Sequence, residues 1–457
     1  MTTASTSTAG VAAPTGATEG HLKRVLGMPS LILFGLVYMV PLTVFTTYGY
    51  VTQLSGGRLP TAYIVTLIAM VFTARSYGQL SRAFPFAGSA YTYTQRSFGP
   101  ATGFLTGWAL MLDYLFLPMI NYLVIGLYLN AAFPSVPQWV FILIFIAIVT
   151  FLNIIGIVSV ARANVLIIGI QAIFIVVFVA ISTSTIANGT SIDLLAPFTG
   201  DGSAPGFSPI AAGAAVLCLS FLGFDAVSTL AEETRDPKKT IPRAIMLTTI
   251  VCGVIFVLLA YVSHLVLPTH AFETVDTASV DVMLKAGGEF MAAFFTAAYV
   301  AGSAGSALAS QASVARILYA MGRDGVLPKS FFGRINVRFG TPVLAILAVS
   351  VVSLAAIWID LSLLAAMISF GALAAFSLVN LSVIKHFFFD LKNRAGINLL
   401  NYFVVPGIGV LLTAWLWTSL SPSALTAGGI WLAIGFIYLL VLTRGFRKPT
   451  PMLDLAE

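Results

Sequence analysis

The chain has 457 residues, 58% hydrophobic and only 9% charged, with a mean hydropathy of +0.97 and a formal net charge of +6. A soluble domain carries about a quarter charged residues, so this composition excludes a water-soluble fold and makes lipid the surrounding solvent. The basic residues lie between apolar runs, so the positive balance describes membrane topology and excludes a nucleic-acid footprint.

The first 22 residues are small and polar. They lack the basic start, apolar core and cleavage site of a secretory leader, and a disordered tail is expected there. Apolar runs of spanning length follow at 28–54, 59–80, 101–128, 138–156, 162–184, 208–231, 242–268, 288–313, 342–359, 362–386, 400–420 and 425–443. About 20 residues cross a bilayer, so these runs predict twelve helices. Breaker clusters such as "SGGRLP", "FPSVPQ" and "TGDGSAPGFSP" separate them. The expectation is an all-α integral membrane protein with a single transmembrane domain over 23–448 and a short tail at 449–457. The two cysteines, Cys218 and Cys252, lie inside apolar runs, as small packing residues do, and no disulfide framework, metal-ligand spacing or cofactor motif accompanies them.

The basic residues orient the spans. With the N-terminus in the cytoplasm, every Lys and Arg except Arg58 and Lys285 falls on the inside or, for Arg75 in the second half of helix 2, within snorkelling reach of it. Both termini are therefore expected in the cytoplasm, with the protein in the cytoplasmic membrane. Trp139, Trp358 and Trp417 fall near span ends, where interfacial anchors sit. The acidic loop "ETVDTASVD", Glu273 to Asp281, is then external. It reads as an ordinary solvated loop or as an attractor for cations at the mouth.

Two acidic residues lie well inside spans: Asp113 in "GWALMLDYLFLPMINYL" and Asp225 in "LSFLGFDAVSTLAEETRDPKK". An aspartate at a helix centre costs about 2.5–3.5 kcal/mol on insertion scales, and such residues mark substrate or ion paths. No basic residue within the spans is available to pair with either. Gly223 precedes Asp225 by two residues, as a helix break or as a close-packing glycine. Helix 1 carries a counterpart, "LFGLVYMVPLTVFTTYGYV", where Pro41 cannot donate a backbone hydrogen bond and Gly35, Tyr38, Thr43, Thr46 and Thr47 surround it. Interrupted helices at corresponding positions of two halves point to a midplane site in an inverted-repeat transporter. The repeats would span about 28–184 and 208–386, with extra helices at about 400–443.

Three stretches now resemble one family. "SYGQLSRAFPFAGSAYTYTQRSFGPATGFLTGW" (Ser76–Trp108), "GFDAVSTLAEETRDPKKTIPRAI" (Gly223–Ile245) and "ARILYAMGRDGVLPKSFFG" (Ala315–Gly333) resemble the amino acid–polyamine–organocation transporter superfamily. Within it, "MLDYLFLPMINYL" (Met111–Leu123), "SFLGFDAVSTLAEET" (Ser220–Thr234) and "FGALAAFSLVNLSVI" (Phe370–Ile384) are similar to bacterial putrescine importers. The resemblance implies a five-plus-five inverted-repeat fold with two extra helices, a central site between helices 1, 3, 6, 8 and 10, and gradient-driven alternating access. It also implies proton sensing at Asp225 and a substrate contact at Asp113. Two departures stand out. Thr46 occupies the place of a helix 1 aspartate in putrescine importers, and Gln171 that of a helix 5 lysine in some proton-coupled relatives.

A diamine needs an acceptor at each end, and two buried carboxylates supply two. Aromatic faces such as Tyr38, Phe221 and Phe224 add cation–π attraction of about 0.5–2 kcal/mol each, or simply pack. The expected substrate-binding set is Tyr38, Thr43, Thr46, Asp113, Ser220, Phe221, Gly223 and Asp225, with breaks at Pro41 and Gly223. Asp225 and Asp113 are the candidate proton carriers, because withdrawal from water disfavours the charged form of a carboxylate. His264 and His386 fall at predicted helix ends and are poor relay candidates. The cluster Glu232, Glu233, Asp236 and Lys238 reads as a cytoplasmic gate or as solvated cap chemistry. The resulting expectation is a proton symporter for a small amine such as putrescine, with an amino-acid permease as the alternative. A channel would need a filter. An enzyme would need a base beside Ser220 or Ser228, and the sequence offers neither.

Overall fold

The computed structural model describes residues 26–85, 89–156, 160–188, 193–200, 202–323, 325–336 and 338–450. The expected tail at 1–22, with Lys23 and Arg24, lies outside these residues, as does the tail at 449–457 beyond its first two. The side chains of Arg162 and Glu232 are likewise outside the description.

Eleven helices are long and apolar enough to span a membrane, and a shorter apolar one joins them. In chain order they are α1 (Met28–Phe45), α2 (Leu59–Ala83), α3 (Pro100–Ala132), α4 (Gln138–Ile155), α5 (Val160–Ala187), α6 (Ser208–Ala231), α7 (Pro237–Val266), α8 (Ala278–Arg323), the shorter α9 (Val343–Ile357), α10 (Leu361–Asp390), α11 (Ile397–Thr418) and α12 (Pro422–Leu442). The twelve expected apolar runs are therefore all helical. Among the described residues no strand forms. An isolated bridge joins Leu26 to Thr234, where the Leu26 N–H donates to the Glu233 carbonyl (3.0 Å) and the Arg235 N–H to the Leu26 carbonyl (2.9 Å). That bridge ties the start of α1 to the exit of α6.

The helices are arranged in depth. The apolar windows of α6 and α3 are 94% and 78% buried, while those of α4 and α12 are each 17% buried. A helix apolar all round, as these are, either lies in the core or faces lipid, and the burial sorts the two kinds. α6 and α3 form the centre, surrounded by α1, α2, α7, α8 and α10; α4, α5, α11 and α12 face outward.

Small residues let the central helices approach. Gly371 of α10 lies over Ala109 of α3, where an added Cβ would meet the Ala109 carbonyl at 2.5 Å. Such close approach drives helix association in membranes, where hydrophobicity gives none. A polar knot pins α3, α4, α8 and α9 together. Gln311 accepts from Tyr122 (3.2 Å) and Asn153 (2.9 Å) and donates to Ser350 (2.7 Å), while Thr150 and Ser350 share a 2.6 Å hydrogen bond. Buried polar groups matched in this way fix register between helices.

Two departures from the expected boundaries have physical causes. α8 begins at Ala278 instead of 288 and runs to Arg323, with non-helical backbone at Gly287 and Gly288 marking the expected start. Its Ser- and Ala-rich second half lowers its hydropathy although it is packed inside. A further helix, Ser89–Phe98, occupies the stretch read as the connection between helices 2 and 3. It is amphipathic, with Ala90, Tyr91, Tyr93 and Thr94 buried. The helical stretch Tyr48–Leu54 continues helix 1 beyond its break, as the single run 28–54 implied.

Candidate functional site

Two spans are interrupted at mid-depth. In α1 the α-helix ends at Met39, Val40 adopts φ 49°, and Pro41–Phe45 continues as a tight 3-10 turn. Positive φ is rare for a β-branched residue, so surrounding packing must hold Val40 there. The carbonyls freed at the break are satisfied locally: the Thr43 hydroxyl lies 2.8 Å from the Met39 oxygen and 2.6 Å from that of Val40. Thr46 is hydrogen-bonded to the Tyr299 hydroxyl of α8.

In α6 the α-helix ends at Leu217, a 3-10 turn covers Cys218–Phe221, Leu222 is extended, and Gly223 sits at φ 118°. A 3-10 stretch, Asp225–Glu233, then runs to the exit. Only glycine adopts that φ without strain, and Gly223 is also close to Tyr38: an added Cβ would lie 2.5 Å from its ring. The two breaks thus meet, with Tyr38 of α1 against Gly223 of α6.

Asp225 opens the post-break segment and is buried. Its Oδ1 accepts from the Gly223 N–H (3.3 Å) and its Oδ2 from the Ser89 hydroxyl (3.2 Å). Asp113, on the uninterrupted α3, is equally buried, but its Oδ1 has no hydrogen-bond partner. Tyr38, Tyr77 and Tyr114 each lie within electrostatic reach of both carboxylates, which also act on each other. Among the described residues the ion pairs are Lys239–Asp236 and Lys385–Asp390, both on the surface. Among the described residues neither buried carboxylate has a lysine or arginine partner. A buried charge without a partner is strongly disfavoured, so this pair wants either protons or a cation.

A cavity of about 350 Å³ lies beside them, within the range of small-ligand sites. Its wall is aromatic: Phe34 and Tyr38 of α1, Tyr91, and Phe104, Trp108 and Tyr114 of α3. Ser89 and Ala226, the partner and neighbour of Asp225, line it, and Glu233 and Arg316 stand on its lining too. Trp108 is locked from α12 by reciprocal bonds. Its indole N–H donates to the Trp431 carbonyl, and the Trp431 indole N–H returns to that of Trp108, both at 2.8 Å. Pro118, inside α3, cannot donate to the Tyr114 carbonyl one turn back, which leaves an acceptor beside Asp113.

Tyr38 also borders a second, smaller space of about 30 Å³, lined by Val40, Thr43, Thr46, Asn121, Tyr299 and Ser303 among others. Tyr38 therefore divides the larger cavity from a polar pocket at the helix 1 break. Of the expected site residues, Tyr38, Thr43 and Thr46 line one or both spaces, while Gly223, Asp113 and Asp225 line neither: Gly223 lies against Tyr38, Asp225 is bonded to the lining Ser89, and Asp113 precedes the lining Tyr114 in α3. Ser220 and Phe221 face elsewhere. Ser220 shares a 3.0 Å hydrogen bond with Tyr63 of α2, and Phe221 meets Phe256 of α7 edge-on at 5.3 Å. Phe224 packs between Tyr77 and Phe376. Gln171 of α5 is buried against Gly302 of α8, which also adjoins Val40. His264 is buried at the end of α7 beside Gly57, and His386 lies against Phe84.

Residues not singled out in advance complete the site: Ser89, Trp108, Tyr114 and Tyr299, joined by Glu233 of the expected cytoplasmic cluster. The three aromatic residues of "FLTGWALMLDY", Phe104, Trp108 and Tyr114, were available as a signal for the α3 wall. Nothing local could have paired Ser89 with Asp225, 136 positions away.

The amino acid permease family model matches residues 30–454. The chain belongs to that family. The low-affinity putrescine importer of Escherichia coli K12 is 41% identical over 443 residues, covering 95% of this chain and 97% of that protein. The branched-chain amino acid permease of Bacillus subtilis is 27% identical, covering 96% of each chain, and the methylthioribose transporter of the same organism is 26% identical, covering 93% of this chain and 94% of its own. This family member is thus similar along nearly its whole length to transporters whose substrates differ.

Proposed function

We propose that the chain imports a small organic amine, putrescine first among candidates, across the cytoplasmic membrane by proton symport. The observation that carries this reading is the pair of buried carboxylates, Asp113 and Asp225, with no lysine or arginine partner among the described residues. A diamine brings two ammonium groups to two acceptors. The unpartnered Asp113 Oδ1 receives one, and the aromatic wall of Tyr38, Trp108 and Tyr114 shields the alkyl chain and adds cation–π attraction. The 41% identity to a putrescine importer supports the same substrate.

In this account the protein works by alternating access. α1 and α6 lead two inverted repeats, about 28–184 and 208–386, and their flexible breaks let each half-helix move separately. Both termini are cytoplasmic, which sets the face bearing Glu233 and Arg316 inward. The empty site is neutralised by a proton on Asp225 or Asp113 and the loaded site by the substrate. Against an amino-acid substrate stands Pro41: a carboxylate cradle at a helix break uses exposed backbone N–H groups, and Pro41 has none.

The test is uptake of radiolabelled putrescine into proteoliposomes with and without an inward proton gradient, competed by unlabelled amines and amino acids. Gradient-stimulated uptake blocked by diamines supports the proposal. Accumulation of an amino acid with no putrescine uptake overturns it in favour of a permease.

A further inference from the structure

A second polar concavity lies away from the transport centre, on the outer wall between α2 and α7. It has a volume of about 420 Å³, and Arg75 and Arg82 of α2 and Arg243 of α7 line it. Its floor is the close crossing of the two helices, where an added Cβ at Gly78 would lie 3.2 Å from Pro242. The start of α11 forms a third side. Arg75 donates to the Asn401 side-chain oxygen (2.7 Å), and Gln79 to the Asn401 carbonyl (3.2 Å). No acidic residue lines the space, and among the described residues no carboxylate lies within 4.0 Å of any of the three arginines. All three are exposed.

Arginines at the ends of membrane helices reach the headgroup interface, where they meet anionic groups. The apolar surface beside these three says what kind of anion. On α7 the exposed residues Leu247, Ile250, Val251, Val254 and Leu258 follow Arg243 at intervals that keep to one helix face. On α2 the exposed Ile68 and Ile64 lie on the face of Arg75, farther from the same end. Two apolar tracks therefore lead away from one basic notch. A free phosphate would need only the notch, whereas an amphiphile with a phosphate head and acyl tails matches the whole surface.

We propose that this notch is a binding site for an anionic phospholipid, whose phosphodiester sits among Arg75, Arg82 and Arg243 and whose acyl chains lie along α2 and α7. Arg75, bonded to Asn401, ties the start of α11 to the same site.

The test is native mass spectrometry of the full-length protein in mild detergent, titrated with phosphatidylglycerol or phosphatidylcholine. Wild type is expected to retain phosphatidylglycerol preferentially. Each of Arg82→Gln and Arg243→Gln should weaken that retention roughly fivefold, since one basic residue near an anionic surface contributes on the order of that factor. Arg338→Gln, an exposed arginine elsewhere, should change nothing. These are single exposed substitutions without hydrogen bonds to lose among the described residues, so the folded protein remains measurable. Equal retention of the two lipids, or Arg82→Gln and Arg243→Gln variants that hold phosphatidylglycerol as wild type does, overturns the proposal. Displacement of the bound lipid by millimolar glycerol 3-phosphate also overturns it and makes the notch a soluble-anion site.

Discussion

The breaks in α1 and α6 do the same thing to the backbone by opposite means. At α6 the chain uses Gly223, for which φ 118° is unstrained, and places the Asp225 carboxylate directly after it. At α1 it holds a valine, Val40, at φ 49° and surrounds the break with hydroxyls, those of Thr43 and Thr46. The α6 break is made by local chemistry and carries charge, whereas the α1 break is enforced by packing and is neutral. The charge at the breaks thus lies on α6 alone, and Asp113 of α3 is a second buried carboxylate outside either break.

The comparison can be broken at its charged side first. Asp113→Asn should lower apparent putrescine affinity about 10- to 100-fold, because a hydrogen bond to a charged group contributes roughly 1.5–3 kcal/mol; uptake kinetics read it. Gly223→Ala comes next. Its Cβ would meet the Tyr38 ring at 2.5 Å while the backbone stays at φ 118°, a strain of about 1–3 kcal/mol. The expected result is about a tenfold loss of uptake together with a lower melting temperature of the purified protein. On the neutral side, Thr43→Val removes the hydroxyl that satisfies the Met39 and Val40 carbonyls. That should cost about 1–2 kcal/mol, lowering the melting temperature and slowing uptake by a few-fold to about tenfold. The smallest effect belongs to Ser220→Ala. Its hydroxyl meets Tyr63, away from both cavities, so apparent affinity should change by less than about threefold.

Much of this was legible from particular residues. Pro41 and Gly223 mark the breaks because one lacks an N–H and the other tolerates positive φ, properties of single residues that no tertiary context alters. Asp113 and Asp225 stand out because lipid makes charge costly wherever it is buried. The apolar runs locate the spans for the same reason. What escaped depends on contacts distant in sequence. The helix Ser89–Phe98 is too short and too polar to register as a span, yet it delivers Ser89 to Asp225. The first turns of α8, from Ala278 to Gly287, fall outside the expected run because Asp281 and Lys285 interrupt their apolar pattern. Ser220 and Phe221 sit on the interrupted segment with Asp225, but the turn of the 3-10 backbone aims them at α2 and α7. Which side of a broken helix a residue faces is set by the break's dihedral angles, and composition does not encode them.

The central claim is that Asp113 and Asp225 together hold a dication. Its most direct test compares equilibrium binding of putrescine and of butylamine, the monoamine of equal length, to wild type, Asp113→Asn and Asp225→Asn, by calorimetry on purified protein. The account predicts that both substitutions weaken putrescine at least tenfold, while butylamine is weakened by only one of them. Putrescine binding unchanged in either variant, or both ligands weakened equally by both substitutions, would contradict it.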